Sequence, residues 1–577
     1  MMLKVHLCLI SLFLCSATFI ALTVADAEGS YLWERTQTNE TNNYVRVIEL
    51  QHAGDFSGRL LATWEHHYTH GPQTITPDGT PGNFIIRKSD DKGLTWETLA
   101  TVHDTRTASG YPFAVFYQPF LFEYPQPLGK YPQGTILLVG NLLPANCSEF
   151  AGEFFAWRSK DHGKTWDSVG VWQRATRNGG IWEPFLYLDN RGRLIAVFSD
   201  ERDHESHSQM LVHVVSDDGG DSWGEPIGAV ASSDQLDRPG MATVTKMGNG
   251  EYIMSYEFCF NYCRAHYKTS KDGFDWGARD VGTAISTADG LYPAQSPYIV
   301  WDSSTQQLAL AGQVVRYFSD NNTAEQQNRI IFTNTNQGIG FWSWSPSPWT
   351  VGLGASGCAN YSPHLIPMGK GILRYTAPST ENESQFCSER TGAAPVAVLP
   401  YKANFSSEGQ AGWIDFSGNW TVLDGEYRFA QVDGKEAIAV TGPSAWNDYM
   451  ISADVMVTGS DSSVGLYARV SAAATGLNKL KGYTATINTT SGELGIWQHD
   501  ESLRVLHSEV HTEGISSNQW YQLSLIVNST EITATLGEAQ SEPKTSFTVT
   551  ATDFGEDMAG LFGRNGGGRF KNVEIAA

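Results

Sequence analysis

The 577-residue sequence predicts an all-β chain in which a six-bladed β-propeller is followed by a jelly-roll-like β-sandwich. Three observations carry this prediction. A Ser-x-Asp-x-Gly turn motif that ends in Trp recurs, units of about 60 residues repeat six times, and short alternating strands replace both patterns near residue 400. A fixed period of this length with strand-like units is typical of a propeller, in which each blade packs against its neighbours.

The turn motif occurs three times in full and once in a degraded form. Its Asp and Ser can cap backbone N–H groups, its Gly supplies a positive φ, and its Trp fills the apolar space below the turn. The motif resembles the Asp-box of sialidase-like propellers. Because the Asp-box lies on the outer rim of the propeller, the motif predicts the fold and does not indicate catalytic residues. The full copies are Ser89–Trp96, Ser159–Trp166 and Ser216–Trp223, and the degraded copy is Ser270–Trp276.

A second repeat places Pro before apolar residues at 119, 184, 239, 297 and 363, and a first unit without Pro fits at 44–48. Pro is tolerated at the start of a strand, where no ladder donor is needed. We interpret these segments as the innermost strands of six blades, each followed by a neighbouring strand that ends in a polar residue. Their ends should converge on one mouth of the central channel. The candidate site residues at these positions are Arg46, Glu65, Gln118, Glu183, Asp200, Glu201, Arg238, Glu257, Gln313 and Tyr361.

Two of these candidates are the pair of carboxylates that glycoside hydrolysis requires, one as acid and one as nucleophile or base. Glu183 lies between Trp182 and Pro184, and apolar surroundings raise a carboxyl pKa and suit a general acid. Glu257 needs hydrogen-bond donors to stay ionised, and Tyr361 or Arg264 could supply them. The alternative is that both glutamates merely rim a channel.

Composition excludes several other functions. The formal net charge is −23, which repels nucleic acid and anionic membranes and suits a neutral substrate. Neither Glu65-His66-His67-x-x-His70 nor Asp203-His204-Glu205-x-His207 has a regular ligand spacing, so we expect no metal and no cofactor.

The N-terminus predicts export. Lys4 precedes an apolar run over roughly residues 7–24, and Ala25-Asp26-Ala27 is a small-x-small cleavage site, so residues 1–27 are expected to be a signal peptide of a secreted, extracellular protein. The alternative is an uncleaved membrane anchor. Nine Asn-x-Ser/Thr sequons favour a glycoprotein, at Asn39, Asn146, Asn321, Asn360, Asn382, Asn404, Asn419, Asn488 and Asn528.

Five of the seven cysteines lie beyond the signal segment, an odd number that leaves at least one unpaired thiol. Cys358 and Cys387 flank the last blade and are expected to form a disulfide. Cys259 and Cys263 could also pair across a tight turn beside Glu257, which would make Cys147 the odd thiol.

The Trp182–Phe185 strand, the Tyr256–Phe258 strand end, the opening segment 44–50 and the turn motifs together resemble the exo-α-1,5-L-arabinanases of glycoside hydrolase family 93, over roughly residues 30–395. These are retaining six-bladed propeller enzymes that release arabinobiose from the non-reducing end of linear arabinan. The resemblance implies that Glu183 is the acid/base, that Glu257 is the nucleophile, and that Tyr361 hydrogen-bonds the nucleophile. Because Asn360 heads a sequon beside Tyr361, either Asn360 carries no glycan or Tyr361 points elsewhere.

The substrate implied by the resemblance is arabinan of the plant cell wall, bound by a monomer. The residues expected to contact it are Arg46, Glu65, Gln118, Trp182, Asp200, Arg238, Arg264 and Gln313.

Three alternatives stay open. A sialidase would need three arginines gripping a carboxylate, for which Arg46, Arg238, Arg264 and Arg316 are available, although Val45-Arg46-Val47-Ile48 is not the Arg-Ile-Pro of sialidases. The others are a different exo-glycosidase of this fold and a non-catalytic carbohydrate-binding propeller.

Beyond the predicted propeller at 28–400, residues 401–412 are expected to be a linker and residues 413–577 an antiparallel sandwich. Alternating strands are predicted at 449–455, 465–470, 520–527 and 532–536. The last segment resembles concanavalin-like or laminin-G-like lectin modules. A carbohydrate-binding role and a purely structural role against the propeller remain alternatives, and the sequence leaves calcium binding undecided.

Overall fold

The computed structural model describes residues 29–36, 40–68, 82–104, 106, 113–144, 151–260, 262–354, 357–381, 386–407, 409–430, 436–459, 461–511, 513–539 and 541–577. The predicted signal segment, the sequons at Asn39, Asn146 and Asn382, Cys147 and His70 lie outside the described residues. Within them the regular secondary structure is β-strand, apart from one short 3-10 turn at Gly54–Phe56. None of the helical segments described is long and apolar enough to cross a membrane.

Six antiparallel sheets form the blades of a propeller, and their innermost strands contact one another in a closed ring. From the centre outward, blade one consists of β2 (Glu40–Glu49), β3 (Leu60–Tyr68), β4 (Asn83–Ser89) and β5 (Glu97–His103). Blade two consists of β6 (Phe113–Glu123), β7 (Ile136–Pro144), β8 (Glu153–Ser159) and β9 (Asp167–Arg174). Blade three consists of β10 (Ile181–Leu188), β11 (Leu194–Asp200), β12 (Met210–Ser216) and β13 (Ile227–Val230).

The last three blades depart slightly from this plan. The sheet of blade four carries an added pair of strands, and blade six takes its outermost strand from the N-terminal side of the chain. Blade four consists of β14 (Arg238–Lys246), β15 (Tyr252–Cys259), β16 (Arg264–Ser270) and β17 (Thr283–Ala284), and its sheet also contains the added pair β18 (Leu291–Ala294) and β21 (Val314–Tyr317). Blade five consists of β19 (Tyr298–Asp302), β20 (Gln307–Ala311), β22 (Ile330–Asn334) and β23 (Ser343–Pro346). Blade six consists of β24 (His364–Pro367), β25 (Ile372–Thr380), β26 (Cys387–Pro395) and β1 (Ser30–Trp33).

Pairing of β1 with β26 closes the ring, because it ties the first strand of the chain to the last blade. The predicted disulfide between Cys358 and Cys387 is confirmed and links the segment before β24 to the start of β26. The pairing of Cys259 with Cys263 is confirmed as well.

The recurring Ser-x-Asp-x-Gly motif forms the turn between the third and fourth strands of a blade. In the first copy, Ser89 Oγ accepts the Gly93 N–H at 2.7 Å and Asp91 Oδ1 accepts the Thr95 N–H at 2.9 Å. Gly93 has φ +84°, a conformation that favours glycine. The motif is thus a local device for turning the chain, away from the centre of the propeller.

The C-terminal region is a sandwich of two antiparallel sheets. One sheet has the order β29-β30-β41-β32-β37-β38-β39 with β27 beside β41, and the other has the order β28-β31-β40-β33-β34-β35-β36. The strands are β27 (Tyr401–Lys402), β28 (Ile414–Ser417), β29 (Asn419–Leu423), β30 (Glu426–Ala430), β31 (Glu436–Thr441), β32 (Tyr449–Thr458), β33 (Ser463–Ser471), β34 (Lys481–Asn488), β35 (Glu493–Asp500), β36 (Leu503–Val510), β37 (Trp520–Asn528), β38 (Glu531–Glu538), β39 (Thr545–Thr550), β40 (Met558–Arg564) and β41 (Gly567–Ala576).

Part of the segment expected to be a linker, residues 401–412, is built into this sandwich. Tyr401 pairs with Ile575 across β27 and β41, and Phe405 is buried in the sandwich core. The Gly and Ser residues of this segment predicted an exposed linker. Tyr401 and Phe405 instead anchor it in the sandwich.

The sandwich packs against the fifth blade through a shared apolar cluster. Phe416 and Phe562 of the sandwich belong to the same buried cluster as Trp342 and Trp344 of the propeller. Trp344 also makes two hydrogen bonds with Ser444: its N–H donates to the Ser444 Oγ at 3.1 Å, and its carbonyl accepts from the Ser444 N–H at 2.9 Å. Burial of this apolar surface binds the two regions to each other.

Candidate active site

The innermost strands share an unusual feature at one mouth of the channel. In blades one to four the strand shifts register at the same level, and at the matching level of every blade a residue other than glycine has a positive φ. Such bulges re-aim side chains, and residues held in this conformation cluster at functional sites. The six residues are Tyr44, Gln118, Glu183, Met241, Ser296 and Ser362.

Two of the positions derived from the Pro repeat are therefore wrong. Arg46 and Arg238 were aligned with these residues, but the equivalents are Tyr44 and Met241. The pattern missed them because Val45 and Ala242, rather than Pro, follow the bulge in blades one and four.

Hydrogen bonds connect the bulges around the channel. From blade two onward, the N–H of each bulge donates to a side chain of the preceding blade, so each blade fixes a polar group of its neighbour. The bonds are Gln118 N–H to Glu65 Oε1 at 2.8 Å, Glu183 N–H to Gln118 Oε1 at 2.9 Å, Met241 N–H to Glu183 Oε2 at 3.3 Å, Ser296 N–H to Glu257 Oε2 at 2.8 Å and Ser362 N–H to Ser296 Oγ at 3.0 Å.

Glu183 is half-buried at the centre of this network. Ser199 Oγ donates to its Oε2 at 2.5 Å, and Gln118 Nε2 lies 3.5 Å from its Oε1. Burial raises the pKa of Glu183 to about 8, the Ser199 hydrogen bond opposes this rise, and the nearby charge of Glu257 adds to it. At neutral pH the carboxyl is protonated and able to donate.

Glu257 lies in the next blade and differs in its partners. Its Oε2 accepts the Ser296 N–H, and Arg238 lies close enough to stabilise its charge. Burial raises the pKa of Glu257, whereas the Ser296 N–H and Arg238 act to lower it. The donor is therefore a backbone N–H, in place of the Tyr361 or Arg264 side chains considered from sequence. Of the two carboxyl groups, Glu257 is the one whose ionised form is supported.

Gly240 separates the two carboxylates. A Cβ at this position would lie 3.4 Å from Ser199 Oγ, the donor to Glu183, and 3.6 Å from Glu257 Oε1. It would also lie 2.5 Å from Gln209 Nε2, so a side chain does not fit. The glycine keeps open the space between Glu257 and the Ser199 hydroxyl that donates to Glu183.

Tyr361 is half-buried beside the same carboxylates. Burial raises its pKa well above the usual value, and the charges of Glu183, Glu65 and Glu257 add to the rise. Its ring packs against Tyr44 with 6.4 Å between centroids. Tyr361 thus lies in the predicted pocket, but among the described residues its hydroxyl makes no hydrogen bond to Glu257.

The neighbouring sequon residue points into the protein. Asn360 is 2% exposed, and its Nδ2 donates to the Gly312 carbonyl at 2.9 Å and to the Gln313 carbonyl at 3.2 Å. A glycan on this amide would have no room, which resolves the conflict between the sequon and Tyr361 in favour of an unmodified Asn360.

Arg238 and Trp182 lie at the edge of the pocket. Arg238 donates to Glu201, to Gln209 Oε1 at 2.7 Å and to Ser208 Oγ at 2.9 Å. The Trp182 indole also hydrogen-bonds Glu201, and it is half-buried beside Glu183. Sugar contact by Arg238 and Trp182 stays a prediction from the sequence.

Two other sequence candidates are engaged elsewhere. Arg46 is 3% exposed and donates to the Ser362 carbonyl at 3.1 Å and to Ser362 Oγ at 2.8 Å. These hydrogen bonds link blade one to blade six. Asp200 is ion-paired to Arg202 at 2.6 Å. Neither side chain is brought to the open space between the glutamates, because strand alternation turns each away from it.

Arg264 and Gln313 likewise have internal partners. Arg264 Nη2 donates to Asn321 Oδ1 at 2.9 Å, and Gln313 Nε2 donates to the Gly357 carbonyl at 2.8 Å. Arg316 donates to the Asn321 carbonyl at 2.8 Å. Arg264 and Arg316 thus both bind Asn321, whereas Arg46 binds Ser362 and Arg238 binds Glu201, so these hydrogen bonds do not bring three arginines to one group.

Sequence reasoning missed Ser199 as a site residue and chose its neighbour Asp200. The signal was the strand register, because four residues each pair with the residue immediately before the bulge of their blade: Glu65, Asn141, Ser199 and Glu257. That equivalence requires knowing where the bulges fall.

Glu257, Cys259 and Cys263 bring a carboxylate oxygen and two sulfurs within 4.8 Å of one another. The two sulfurs form a disulfide, so they are not thiolate ligands. In the Glu65–His70 segment, which the sequence analysis considered as a metal site, His66 Nε2 lies 3.0 Å from Glu40 Oε1.

Comparison with solved structures finds the same propeller in glycoside hydrolases. A GH93 α-L-arabinofuranosidase of Fusarium graminearum in complex with arabinobiose is 27% identical, with 64% of this chain and 97% of that chain covered and a TM-score of 0.52. A Penicillium chrysogenum α-L-arabinanase complexed with arabinobiose is 27% identical, with 65% and 97% covered and a TM-score of 0.50. A mutant of the Fusarium graminearum enzyme in complex with an iminosugar inhibitor is 26% identical, with 64% of this chain and 97% of that chain covered and a TM-score of 0.53.

The family model described as "Galactocerebrosidase, C-terminal lectin domain" matches residues 428–554, within the sandwich. A search of curated protein sequences gave no match. The propeller with its paired glutamates and the structural relatives lead to one conclusion: the chain is a glycoside hydrolase whose propeller is similar to those of the family 93 arabinanases, with a lectin-like β-sandwich after it.

Proposed function

We propose that the protein is a secreted, retaining exo-glycoside hydrolase that acts on linear α-1,5-L-arabinan and releases arabinobiose. The observation that carries the proposal is the pair Glu183 and Glu257 on either side of Gly240, one protonated at neutral pH and the other supported as an anion. The arabinobiose in the two related structures supports the choice of substrate.

In the proposed mechanism, Glu183 donates its proton to the leaving glycosidic oxygen while Glu257 attacks the anomeric carbon. The second half begins when Glu183, now a carboxylate, takes a proton from water, which then cleaves the glycosyl-enzyme and restores both groups. Retention needs the two carboxyl groups about 5–5.5 Å apart. Tyr361, Trp182 and Arg238 surround the sugar, and Gln118, Ser199 and the Ser296 N–H hold the carboxylates in place.

The test is product analysis with purified protein and linear arabinan. Arabinobiose should accumulate from the start, with no ladder of longer oligosaccharides, and its anomeric configuration at first release should match that of the substrate by NMR. Release of mixed oligosaccharides would contradict the exo mode, and an inverted anomer would contradict the retaining mechanism.

Glu257→Gln should fold normally and lose activity by on the order of 10⁴-fold or more, because an amide cannot form the glycosyl-enzyme. Glu251→Gln is the matched control, since Glu251 lies at the far end of the same hairpin and its carboxylate only accepts from Asn249. Full activity of Glu257→Gln on arabinan would overturn the site.

Secretion and domain boundaries belong to the same proposal. We expect the mature chain to begin after Ala27, residues 28–400 to be the catalytic propeller, and residues 401–577 to be the accessory module, since Tyr401 and Phe405 belong to the sandwich. N-terminal sequencing of the secreted protein tests the first boundary, and a mature protein that retains residues 1–27 would favour the membrane-anchor alternative.

A further inference from the structure

A polar cleft of about 460 Å³ lies on the outer face of the second sheet of the sandwich. None of its lining residues belongs to the propeller, so it is distinct from the site around Glu183. The side chains that matter are Thr486, Glu493, Trp497, His499 and Arg564.

Strand pairing explains the shape of the cleft. Thr486 of β34 pairs with Gly495 of β35 on one side and with Gly465 of β33 on the other, so two glycines flank it. A Cβ at Gly495 would lie 2.7 Å from Trp497 Nε1. The missing side chain leaves room for the Trp497 ring, which is half-buried and fixed by a 2.9 Å hydrogen bond from Nε1 to Thr486 Oγ1.

The lining carries polar groups that the fold leaves unused. His499 is completely buried, yet neither ring nitrogen has a hydrogen-bond partner within the described residues. Burial lowers its pKa to about 3, so the ring is neutral and offers one donor and one acceptor. Across the parts of the chain that the structure describes, Arg564 and Glu493 make no hydrogen bond or ion pair.

A buried polar group without a partner costs about 1–3 kcal/mol, so its presence beside an open cleft needs a reason. An aromatic ring with a donor-rich guanidinium and an acceptor carboxylate beside it matches the alternating apolar face and hydroxyl edge of a sugar. The net charge of −23 disfavours acidic sugars.

We infer that this cleft is a second carbohydrate site, in which one neutral sugar residue of a polysaccharide stacks on Trp497 while Arg564 and Glu493 bind its hydroxyls above the buried His499. The identification of the bound polysaccharide as arabinan rests on the function proposed above. The site would hold the enzyme on the polymer and raise the local concentration of chain ends at the propeller, without taking part in bond cleavage.

Affinity electrophoresis tests the inference, with the full chain carrying Glu257→Gln so that no substrate is consumed. The protein is deglycosylated first, because Asn488 at the edge of the cleft heads a sequon. Linear arabinan, xylan, galactan and β-glucan are each cast into the gel. Trp497→Ala and Glu493→Ala should weaken retardation by about tenfold, whereas Trp520→Ala, on the other sheet, should match the parent.

The active chain supplies a second measurement. Trp497→Ala should lower kcat/KM on polymeric arabinan and leave kcat/KM on arabinotriose unchanged, because the short substrate reaches only the propeller. Retardation of the parent by a different polysaccharide, lost in Trp497→Ala, would keep the site and overturn arabinan as its ligand. Equal retardation of the parent and both cleft variants, or no retardation in any gel, would overturn the site itself.

Discussion

At the scale of single residues, the division of labour between two glutamates depends on their neighbours. Glu183 and Glu257 are both half-buried, and burial raises the pKa of each. Only Glu257 combines a backbone N–H donor with a nearby arginine, so the first proton lost by the pair leaves Glu257 ionised. The pKa of Glu183 is raised to about 8, which suits the role of general acid proposed for it.

The first residue-scale prediction is the pH dependence of catalysis. Because Glu183 must be protonated, kcat/KM should fall as the pH rises through about 8, and the acid limb should lie above the ordinary glutamate range because the pKa of Glu257 is also raised. Glu183→Gln should remove the alkaline limb and slow substrates with poor leaving groups far more than activated aryl glycosides. A limb that persists in Glu183→Gln would assign it to another group.

The second residue-scale prediction concerns Ser199. Its hydrogen bond stabilises the ionised form of Glu183, so Ser199→Ala should raise the pKa of the acid and move the alkaline limb upward by about one pH unit. Ser255→Ala is the control, because Ser255 bonds Thr243 Oγ1 at 2.9 Å instead of a carboxylate. A reduced rate with an unmoved limb would mean that Ser199 is only structural.

At the scale of elements, the bulge in each inner strand serves both fold and site. It aims one residue into the channel mouth and presents an N–H to the preceding blade, which is why five hydrogen bonds of the same kind join the six blades in sequence. A strand without the bulge would return Glu183 to the regular alternation, with its side chain on a different face.

The element-scale prediction compares the two disulfides. Cys358 and Cys387 are 29 residues apart, and loss of this cross-link in a double alanine variant should lower the free energy of unfolding by about 3–4 kcal/mol. Cys259 and Cys263 are 4 residues apart, so their removal should cost only about 2 kcal/mol but reduce activity, since they adjoin Glu257. Chemical denaturation and arabinan assays measure both. Equal losses of stability would contradict the loop-length argument.

At the scale of the whole molecule, the sandwich and the propeller share an apolar interface. Arg329 of the propeller donates to the Asp415 carbonyl of the sandwich at 2.9 Å beside the cluster that contains Trp344 and Phe416. The structural role considered for the sandwich is therefore supported by contacts, and it is compatible with a carbohydrate site on another part of the same sheet.

The whole-molecule prediction is the behaviour of a chain that ends at Pro400. Removal of the sandwich uncovers the propeller side of this cluster, and exposed apolar patches cause association, so the shortened protein should aggregate or unfold at lower temperature. Size-exclusion chromatography and thermal unfolding against the full chain measure this. A monomeric, fully active product would show that the propeller needs no cover from the sandwich.

The sequence by itself determined the number of blades, the outer turns, the Cys358–Cys387 disulfide and four strands of the sandwich, because local periodicity, turn chemistry and cysteine position indicate them. It also singled out Glu183 and Glu257. Tertiary structure alone decided that Tyr44 and Met241 occupy the bulges, that Ser199 is the partner of Glu183, and that Arg46 and Asp200 face away from the site. The physical reason is that a one-residue bulge changes which face a side chain takes, and its position depends on packing between blades that lie about 60 residues apart in the chain.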